Sequence, residues 1–303
     1  MTRALLIVNP SSGQERGPEH AEMVSARLCE RYESVEIVLT AGDGDAERAA
    51  ATAVADGCSA IFVAGGDGTV NEAVNGVASA STLDRVTFGI LPFGTGNDFA
   101  AALGIPPEVD DAVTVLLQGR TRAVDLGRVN GRVFVNTSGG GFIAEVSVSV
   151  TPQLKTIAGR LAYLVGGAQA LLDYDPVRAT VSADPGGIRL GVGLYAYAVC
   201  NSRLIGGGRL IAPFAVIDDG LLDLCVIEEM NTLQFVALAR KVAEGEHLDD
   251  PRVRYVQASS ISIDFEREMK VNTDGEVFET RRCEYSVLPR AATFLAGDDP
   301  FAA

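Results

Sequence analysis

Three short segments rich in glycine and polar side chains carry most of the chemistry that this sequence offers. They cover residues 9–13, 65–69 and 94–98, and each directly follows an apolar run that predicts a strand. Ligands in open α/β sheets bind beyond the carboxyl ends of the strands, and glycines there let backbone N–H groups approach phosphate oxygens. Asp67 and Asp98 add carboxylates, which beside phosphate groups indicate a cation or a transferable proton. The pattern predicts a site for a nucleotide with Mg²⁺.

Part of this pattern also has a purely structural interpretation. Thr69 is placed to cap the helix that follows the second segment, with Glu72 three residues on as its capping-box partner. Asp98 is placed in the same way to cap a helix that begins at Phe99. Asp67 lies between two glycines, where capping does not explain it, so we interpret it as a functional residue.

Further acidic side chains lie beyond the first three segments. Asp274 and Glu276 flank a glycine, and an Asp-Gly pair between apolar runs is typical of a hairpin turn. Two carboxylates at this place also suit the acceptance of a proton from a hydroxyl group. Residues 215–223 are interpreted as a turn between two strands. Asp125 lies in an apolar strand, where a buried carboxylate needs a metal or basic partner.

Composition bounds the class of protein. A chain of 303 residues predicts two domains, and a hydrophobic content of 47% predicts a packed interior. The net charge of −15 argues against nucleic acid as a partner. Five scattered cysteines favour reduced thiols, and the two histidines, His20 and His247, are expected at the surface rather than in catalysis. No apolar stretch suits a signal peptide or a membrane span, so a soluble cytoplasmic protein is expected.

The order of apolar runs predicts an α/β domain followed by a β domain. Over residues 1–125, strands at 4–8, 35–39, 60–64 and 86–91 alternate with helices at 18–32, 43–56, 70–78, 98–103 and 109–117, which is typical of a parallel sheet. Residues 126–296 predict a mostly antiparallel β-sandwich, and residues 297–303 form a tail. An apolar stripe over residues 157–172 predicts a helix that faces either the core or the entrance for an acyl chain.

The ordered set of segments resembles a known family. Residues 9–13, 65–72, 92–98, 123–125, 218–220 and 274–276 are similar to the diacylglycerol kinase catalytic-domain family. The resemblance is greatest to the soluble bacterial lipid kinases related to sphingosine and ceramide kinases. It implies ATP-dependent transfer of the γ-phosphoryl group to a lipid hydroxyl. It also implies an N-terminal nucleotide-binding α/β domain, a C-terminal β-sandwich for the lipid, whose last segment is able to pack back on the first domain, and an active site in the cleft between them.

The resemblance also implies roles for particular residues. A catalytic Mg²⁺ would be held by Asp67, Asp98 and Asp125. A second, structural Mg²⁺ would be held by Asp219 and by the backbone carbonyls of Val216 and Leu221. The leading proton acceptor is Glu276, with Asp274 and Asp67 as the other candidates. ATP contacts are implied for residues near the strand ends, namely Asn9, Pro10, Ser11, Ser12, Gly13, Thr40, Gly65, Gly66, Asp67, Gly68, Thr69, Val70, Asn71 and Thr95.

The predicted activity is that of an enzyme that phosphorylates diacylglycerol to phosphatidic acid with Mg-ATP. The enzyme would reach its lipid substrate by peripheral contact with a membrane surface. It could also form a homodimer. A kinase for another lipid, of the sphingosine or ceramide type, is one alternative. An NAD kinase is another, since the loop at residues 65–68 is shared with NAD kinases and 6-phosphofructokinases. A nucleotide- or lipid-binding regulator without catalysis is the third, although every expected carboxylate is present.

Overall fold

The computed structural model describes residues 3–12, 17–142, 144, 175–185 and 187–301. The apolar helix predicted over residues 157–172 and the predicted ATP contact Gly13 lie outside the described residues. Within the chain two compact units form, one from residues 1–126 with 288–303 and one from residues 127–287. In the described part of the chain no helix combines the length and the apolar character needed to cross a membrane.

The first unit contains strands that pair in parallel. Strand β1 (Arg3–Val8) pairs with β2 (Ser34–Leu39) and with β3 (Ala60–Gly65). Strand β3 also pairs with β4 (Thr87–Pro92), and β4 pairs with Thr293 and Phe294 near the end of the last strand. Apolar, largely β-branched runs such as Ile61–Val63 favour strands, and β3 is buried along its whole length. The strands and helices of this unit are β1 (Arg3–Val8), α1 (Gly17–Leu28), β2 (Ser34–Leu39), α2 (Asp45–Ala55), β3 (Ala60–Gly65), α3 (Asp67–Ser79), β4 (Thr87–Pro92), α4 (Asp98–Ala102) and α5 (Val109–Gln118).

Aromatic rings fill the core of the first unit around the end of the chain. The ring of Phe294 stacks on Phe88 with centroids 5.1 Å apart and meets Phe99 edge-on at 5.2 Å. The following residues are tied down by hydrogen bonds: Gly297 donates its backbone N–H to the carbonyl of Leu103. Ion pairs Arg120–Asp298 and Arg122–Asp299 continue this contact, so residues 297–299 of the predicted tail belong to the first unit.

The second unit contains antiparallel strands. β9 pairs with β7, β8 and β12, and β14 pairs with β7, β8 and β15. Buried side chains form two clusters, one around Tyr197 and Tyr285 and the other around Tyr195 and Phe142. The further elements along the chain are β5 (Thr121–Val129), β6 (Arg132–Phe134), β7 (Thr137–Gly141), β8 (Val177–Asp184), β9 (Ile188–Cys200), β10 (Leu204–Ile205), β11 (Arg209–Leu210), β12 (Leu222–Glu228), α6 (Thr232–Glu244), β13 (Val253–Ala258), β14 (Ser260–Thr273) and β15 (Glu276–Leu295).

The sequence analysis missed α6. Its start carries a complete capping box, in which Asn231 and Gln234 exchange side-chain to backbone hydrogen bonds. Its end is marked by Gly245 in the left-handed conformation, with φ of 76°. Both signals are readable in the sequence, but the strand-like runs around this segment concealed them.

Candidate active site

The loops that follow β1 and β3 are joined by hydrogen bonds of Asn9. Its backbone N–H donates to the carbonyl of Ala64 at 2.9 Å, and its side-chain Nδ2 donates to Thr69 Oγ1 at 3.0 Å. The Oδ1 atom accepts the backbone N–H of Ser11 at 3.0 Å. Because Thr69 lies in the first turn of α3, Asn9 fixes the first predicted phosphate segment against the second.

The glycines of the second and third segments let two loops touch. A Cβ atom added to Gly94 would lie 2.4 Å from the Cα of Gly66, too close for any side chain. A Cβ added to Gly65 would lie 2.8 Å from the side chain of Thr69. Close packing of the loops therefore requires glycine at positions 65 and 94, whatever ligand they bind.

Asp67 is the first residue of α3, and its carboxylate lies at the start of α4. The two carboxylate oxygens accept backbone N–H groups of Asp98, at 3.3 Å, and Phe99, at 3.2 Å. Burial raises the pKa of Asp67, and the nearby carboxylate of Asp98 raises it further. The two acidic side chains thus lie close enough to repel each other. The sequence analysis foresaw both residues but not that one loop caps the helix of the other.

The two capping interpretations are wrong in detail. Helix α3 begins after Gly66, and the carboxylate of Glu72 accepts the N–H of Ala46 at 3.2 Å, so Glu72 supports α2 rather than Thr69. Helix α4 begins at Asp98 itself, which is only 4% exposed, and the residue before the helix is Asn97.

Asn97 is a site residue that the sequence analysis did not select. It adopts the left-handed conformation, with φ of 57°. Its Nδ2 donates to the carbonyls of Pro92 at 3.0 Å and Gly94 at 2.8 Å, which closes the loop after β4. Asparagine tolerates this backbone conformation better than most residues, and its position before a predicted helix was the available signal.

Asp125 has the partner that its burial requires. The side chain is inaccessible to solvent, and Oδ1 accepts the backbone N–H of Arg290 at 2.6 Å. Arg290 has φ of 49°, a local departure from strand geometry that turns its N–H to the carboxylate. The sequence predicted a metal or a basic group as the partner of Asp125. The structure shows a backbone N–H group as one of its partners.

Other predicted nucleotide contacts lie at the ends of the strands. Thr40 donates its N–H to the carbonyl of Val8 at 2.9 Å, directly after β2, and Thr95 is exposed in the loop after β4. Asn71 is fully buried in α3, and its Oδ1 accepts a hydrogen bond from Asn75 at 3.0 Å. Within the described residues its Nδ2 has no acceptor. Pro10, Ser11 and Ser12 form the turn after β1, while Gly68 and Val70 lie in the first turn of α3.

The acidic pair Asp67 and Asp98 has the chemistry that Mg²⁺ requires. Proteins commonly hold this ion with one or two carboxylates, together with substrate phosphates and waters. In the described part of the chain, no group of three or more acidic, histidine or cysteine side chains is arranged to bind a metal. The three-aspartate set that includes Asp125 thus stays a prediction, and the pair alone fits the ion.

The hairpin interpretation of residues 274–275 is confirmed. Asp274 and Gly275 have φ of 48° and 102° and join β14 to β15 as a two-residue turn. The Asp274 carboxylate is 7% exposed and accepts three backbone N–H groups, from Val135 at 2.6 Å, Asn136 at 3.1 Å and Thr137 at 2.8 Å. These bonds occupy the oxygens that proton acceptance would use.

Glu276, the first residue of β15, is paired with an arginine that the sequence analysis overlooked. Arg132 donates Nε to one carboxylate oxygen at 3.0 Å and Nη2 to the other at 2.7 Å. Both side chains are about one-third exposed, at 34% and 38%. The two-pronged contact orients the carboxylate while leaving it accessible.

The predicted structural metal loop forms a tight turn. Asp219 accepts the backbone N–H of Leu221 at 2.9 Å through its own side chain, and Gly220 between them has φ of 78°. This geometry matches the turn interpretation, and the metal stays a prediction. Nearby, burial raises the pKa of Asp223 to about 6, and the hydroxyl of Tyr255 donates to its carboxylate.

The surface position expected for His247 is wrong. Its side chain is fully buried, and Nε2 meets the carbonyl of Ile211 at 3.0 Å. A carbonyl accepts, so Nε2 carries the hydrogen and Nδ1 does not. Among the described residues Nδ1 has no partner. Burial lowers the pKa of His247 below its usual value.

The fold defines a two-domain protein. Its first unit contains two touching glycine loops of the kind that binds phosphate groups. Family models match both parts: residues 3–129 match the diacylglycerol kinase catalytic domain, and residues 138–296 match a domain described as the YegS C-terminal NAD kinase beta sandwich-like domain. A diacylglycerol kinase of Bacillus subtilis (strain 168) is 35% identical over 277 residues, which cover 91% of this chain and 90% of the relative. The chain belongs to the diacylglycerol kinase family and is a lipid kinase.

Other relatives are similar to this chain over nearly its whole length. A diacylglycerol kinase of Staphylococcus aureus (strain MRSA252) is 32% identical over 297 residues, covering 98% of this chain and 93% of the relative. A crystal structure from Bacillus anthracis str. Sterne superposes with a TM-score of 0.84 at 29% identity, covering 98% of this chain and 95% of that one. A crystal structure of a diacylglycerol kinase from the same organism gives a TM-score of 0.76 at 26% identity, with coverage of 98% and 97%.

Proposed function

We propose that this protein transfers the γ-phosphoryl group of Mg-ATP to the hydroxyl of diacylglycerol, giving phosphatidic acid. The observation that carries the proposal is the pair of carboxylates, Asp67 and Asp98, held together between two touching glycine loops. Such a pair would hold a divalent cation, which would supply positive charge beside the phosphate groups. Curated relatives named diacylglycerol kinase over nine-tenths of the chain support the choice of lipid.

The first unit, with its parallel strands, is proposed as the ATP-binding domain. The start of α3, a helix of 13 residues, offers free backbone N–H groups and a positive dipole end for phosphate oxygens. Asn9 and Thr69 hold the loop after β1 at this helix start. When bound, Mg²⁺ would neutralise charge on the transferring phosphoryl group, and Asp67 and Asp98 are the residues that would hold it.

Glu276 is proposed as the group that accepts the proton of the lipid hydroxyl. Phosphoryl transfer to an alcohol needs such an acceptor within hydrogen-bond reach. Asp274 is less suited because three backbone N–H groups already use its oxygens. Glu276 is more than one-third exposed, and Arg132 fixes its direction. We further propose that the turn holding Asp219, with the carbonyls of Val216 and Leu221, binds a structural Mg²⁺.

The test is phosphorylation of a lipid panel by the purified protein with Mg-ATP. Diacylglycerol, sphingosine and ceramide in mixed micelles would be compared, with Asp67→Asn as the inactive control. Formation of phosphatidic acid above that control is expected. Transfer to sphingosine or ceramide alone would assign another lipid, and no transfer to any lipid would refute the proposal.

A second candidate is an NAD kinase, because the family model of the second domain is described as NAD kinase beta sandwich-like. The same preparation incubated with NAD and Mg-ATP separates the two. NADP formation faster than lipid phosphorylation would favour this candidate over the lipid kinase.

We also propose that the enzyme works in the cytoplasm and meets its lipid by peripheral contact. The diacylglycerol substrate lies in a bilayer, and the described residues contain no helix suited to span one. Co-sedimentation with vesicles that contain diacylglycerol, against vesicles of phosphatidylcholine alone, tests this contact. Equal recovery with both kinds of vesicle would argue against it.

A further inference from the structure

Asn97 closes the loop after β4 with a single side chain. Its Nδ2 donates to the carbonyls of Pro92, at 3.0 Å, and Gly94, at 2.8 Å. The residue adopts φ of 57°, so the chain reverses direction sharply before α4 begins. This amide therefore ties the end of the loop to its beginning.

This loop is packed against the loop that carries Asp67. The Cα of Gly66 would be 2.4 Å from a Cβ on Gly94, and Asn97 Oδ1 would be 2.7 Å from the same Cβ. The described residues offer that buried Oδ1 atom no donor. The Asn97 amide and Gly66 thus both lie directly against Gly94, the residue through which the two loops touch.

The position of Asp98 depends on the same loop. Asp98 follows Asn97 directly, and its N–H, with that of Phe99, donates to the Asp67 carboxylate. The backbone that Asn97 holds is therefore the backbone that brings these two N–H groups to Asp67.

We infer that Asn97 is a positioning residue of the phosphoryl-transfer site: its amide keeps Asp98 beside Asp67, so that both carboxylates are presented together to the magnesium ion of Mg-ATP. This inference rests on the proposed function. Asn97 would act through the backbone of its loop and would not itself contact the substrate.

The test uses Asn97→Gly and Asn97→Asp in the full chain. Glycine keeps the left-handed backbone and removes the side chain, while aspartate keeps the shape and removes both donors. The matched control is Asn130→Gly. Asn130 also has a positive φ, of 47°, and its side chain bonds the backbone of Arg282 and Glu284, both at 2.9 Å.

Three kinds of measurement are made on each variant. The first is the Mg²⁺ concentration for half-maximal activity, together with KM for ATP and kcat. The second is the affinity for Mg-ATP without lipid, by titration calorimetry. The third is hydrogen exchange of the amides of residues 98–103 in the protein without ligand.

Both Asn97 variants should need at least about tenfold more Mg²⁺, the change that about 1.4 kcal/mol makes in an equilibrium constant. Their KM for ATP should rise more than kcat falls, calorimetric affinity should fall in parallel, and amides 98–99 should exchange faster. Asn130→Gly should change none of these quantities. Unchanged Mg²⁺ dependence in a folded Asn97→Gly protein, tighter Mg²⁺ binding by Asn97→Asp, or failure of both variants to fold would each overturn the inference. The calorimetric comparison needs no lipid, so it tests the role of Asn97 even if the wild-type protein phosphorylates no lipid. Absence of lipid phosphorylation would refute the proposed function and not this inference.

Discussion

Replacing Asp67 by asparagine or alanine separates the two roles that its carboxylate combines. The carboxylate accepts N–H groups at the start of α4 and also brings charge to the site. Asparagine keeps one oxygen acceptor without the charge, whereas alanine removes both. We expect both variants to lose turnover, but only the alanine variant to lose appreciable stability.

The expected size of each effect follows from the contacts. Loss of a side-chain cap costs about 0.5–2 kcal/mol. With about 2–4 °C of Tm per kcal/mol, loss of the cap should make Asp67→Ala melt about 1–8 °C below Asp67→Asn. The pKa of Asp67 is raised, so its ionised form at neutral pH opposes folding, and both substitutions relieve that cost. Asp67→Asn should therefore melt within about 2 °C of the wild type.

Activity should respond to the charge rather than to the cap. Losing a group that stabilises charge commonly lowers turnover by about 10²-fold or more. Both variants should show this loss in a diacylglycerol phosphorylation assay at saturating Mg-ATP, and thermal unfolding of the same samples gives Tm. Wild-type turnover in Asp67→Asn would remove the charge of Asp67 from the mechanism. Equal melting of the alanine and asparagine variants would refute the capping role.

Three further predictions concern the second unit. Glu276→Gln should lower kcat by about 10²-fold or more while changing stability by less than about 1 kcal/mol, since its pair with Arg132 is partly exposed; activity that survives here while a folded Asp274→Asn protein is inactive would exchange the two assignments. Asp274→Ala leaves three backbone N–H groups without an acceptor and should lower the unfolding free energy in urea by about 3 kcal/mol or more; a loss below about 1 kcal/mol would contradict the structural role. The depressed pKa of His247 means that the unfolded chain binds its proton first, so stability should fall as pH drops below about 6.5, by up to about 1.4 kcal/mol per pH unit; His247→Gln should flatten this slope, and identical slopes would exclude the histidine as its source.

Periodicity predicted the elements of the first unit well because each strand is a short apolar run with a clear end. The predicted strand over residues 60–64 corresponds to β3 at Ala60–Gly65, and the helix predicted over 109–117 to α5 at Val109–Gln118. The exact ends of helices and strands were harder to predict where contacts with distant parts of the chain set them. Helix α3 begins at Asp67 rather than at Val70, since the glycine loop ends earlier than its composition suggests.

The candidate site was predicted in its residue types and only partly in its contacts. Asp67, Asp98, Asp274 and Glu276 were all selected from motif and resemblance. Arg132 and Asn97 were missed, because an arginine in a strand and an asparagine beside glycines are common and carry no local pattern. His247 was misjudged because acidic neighbours in the sequence suggested exposure, whereas the side chain is buried and its Nε2 atom bonds the backbone carbonyl of Ile211.

The order of residues along the chain is enough to identify which segments follow strands, which carry carboxylates between glycines, and to which family the ordered set is similar. These are local properties, since apolar period, glycine freedom and motif order are written along the chain. Which carboxylates remain available for chemistry depends on contacts that form when the chain folds. Asp274 is occupied by N–H groups from residues 135–137 and Asp125 accepts that of Arg290, far away along the chain. A carboxylate's role depends on the donors that folding brings to it, and no local spacing records them.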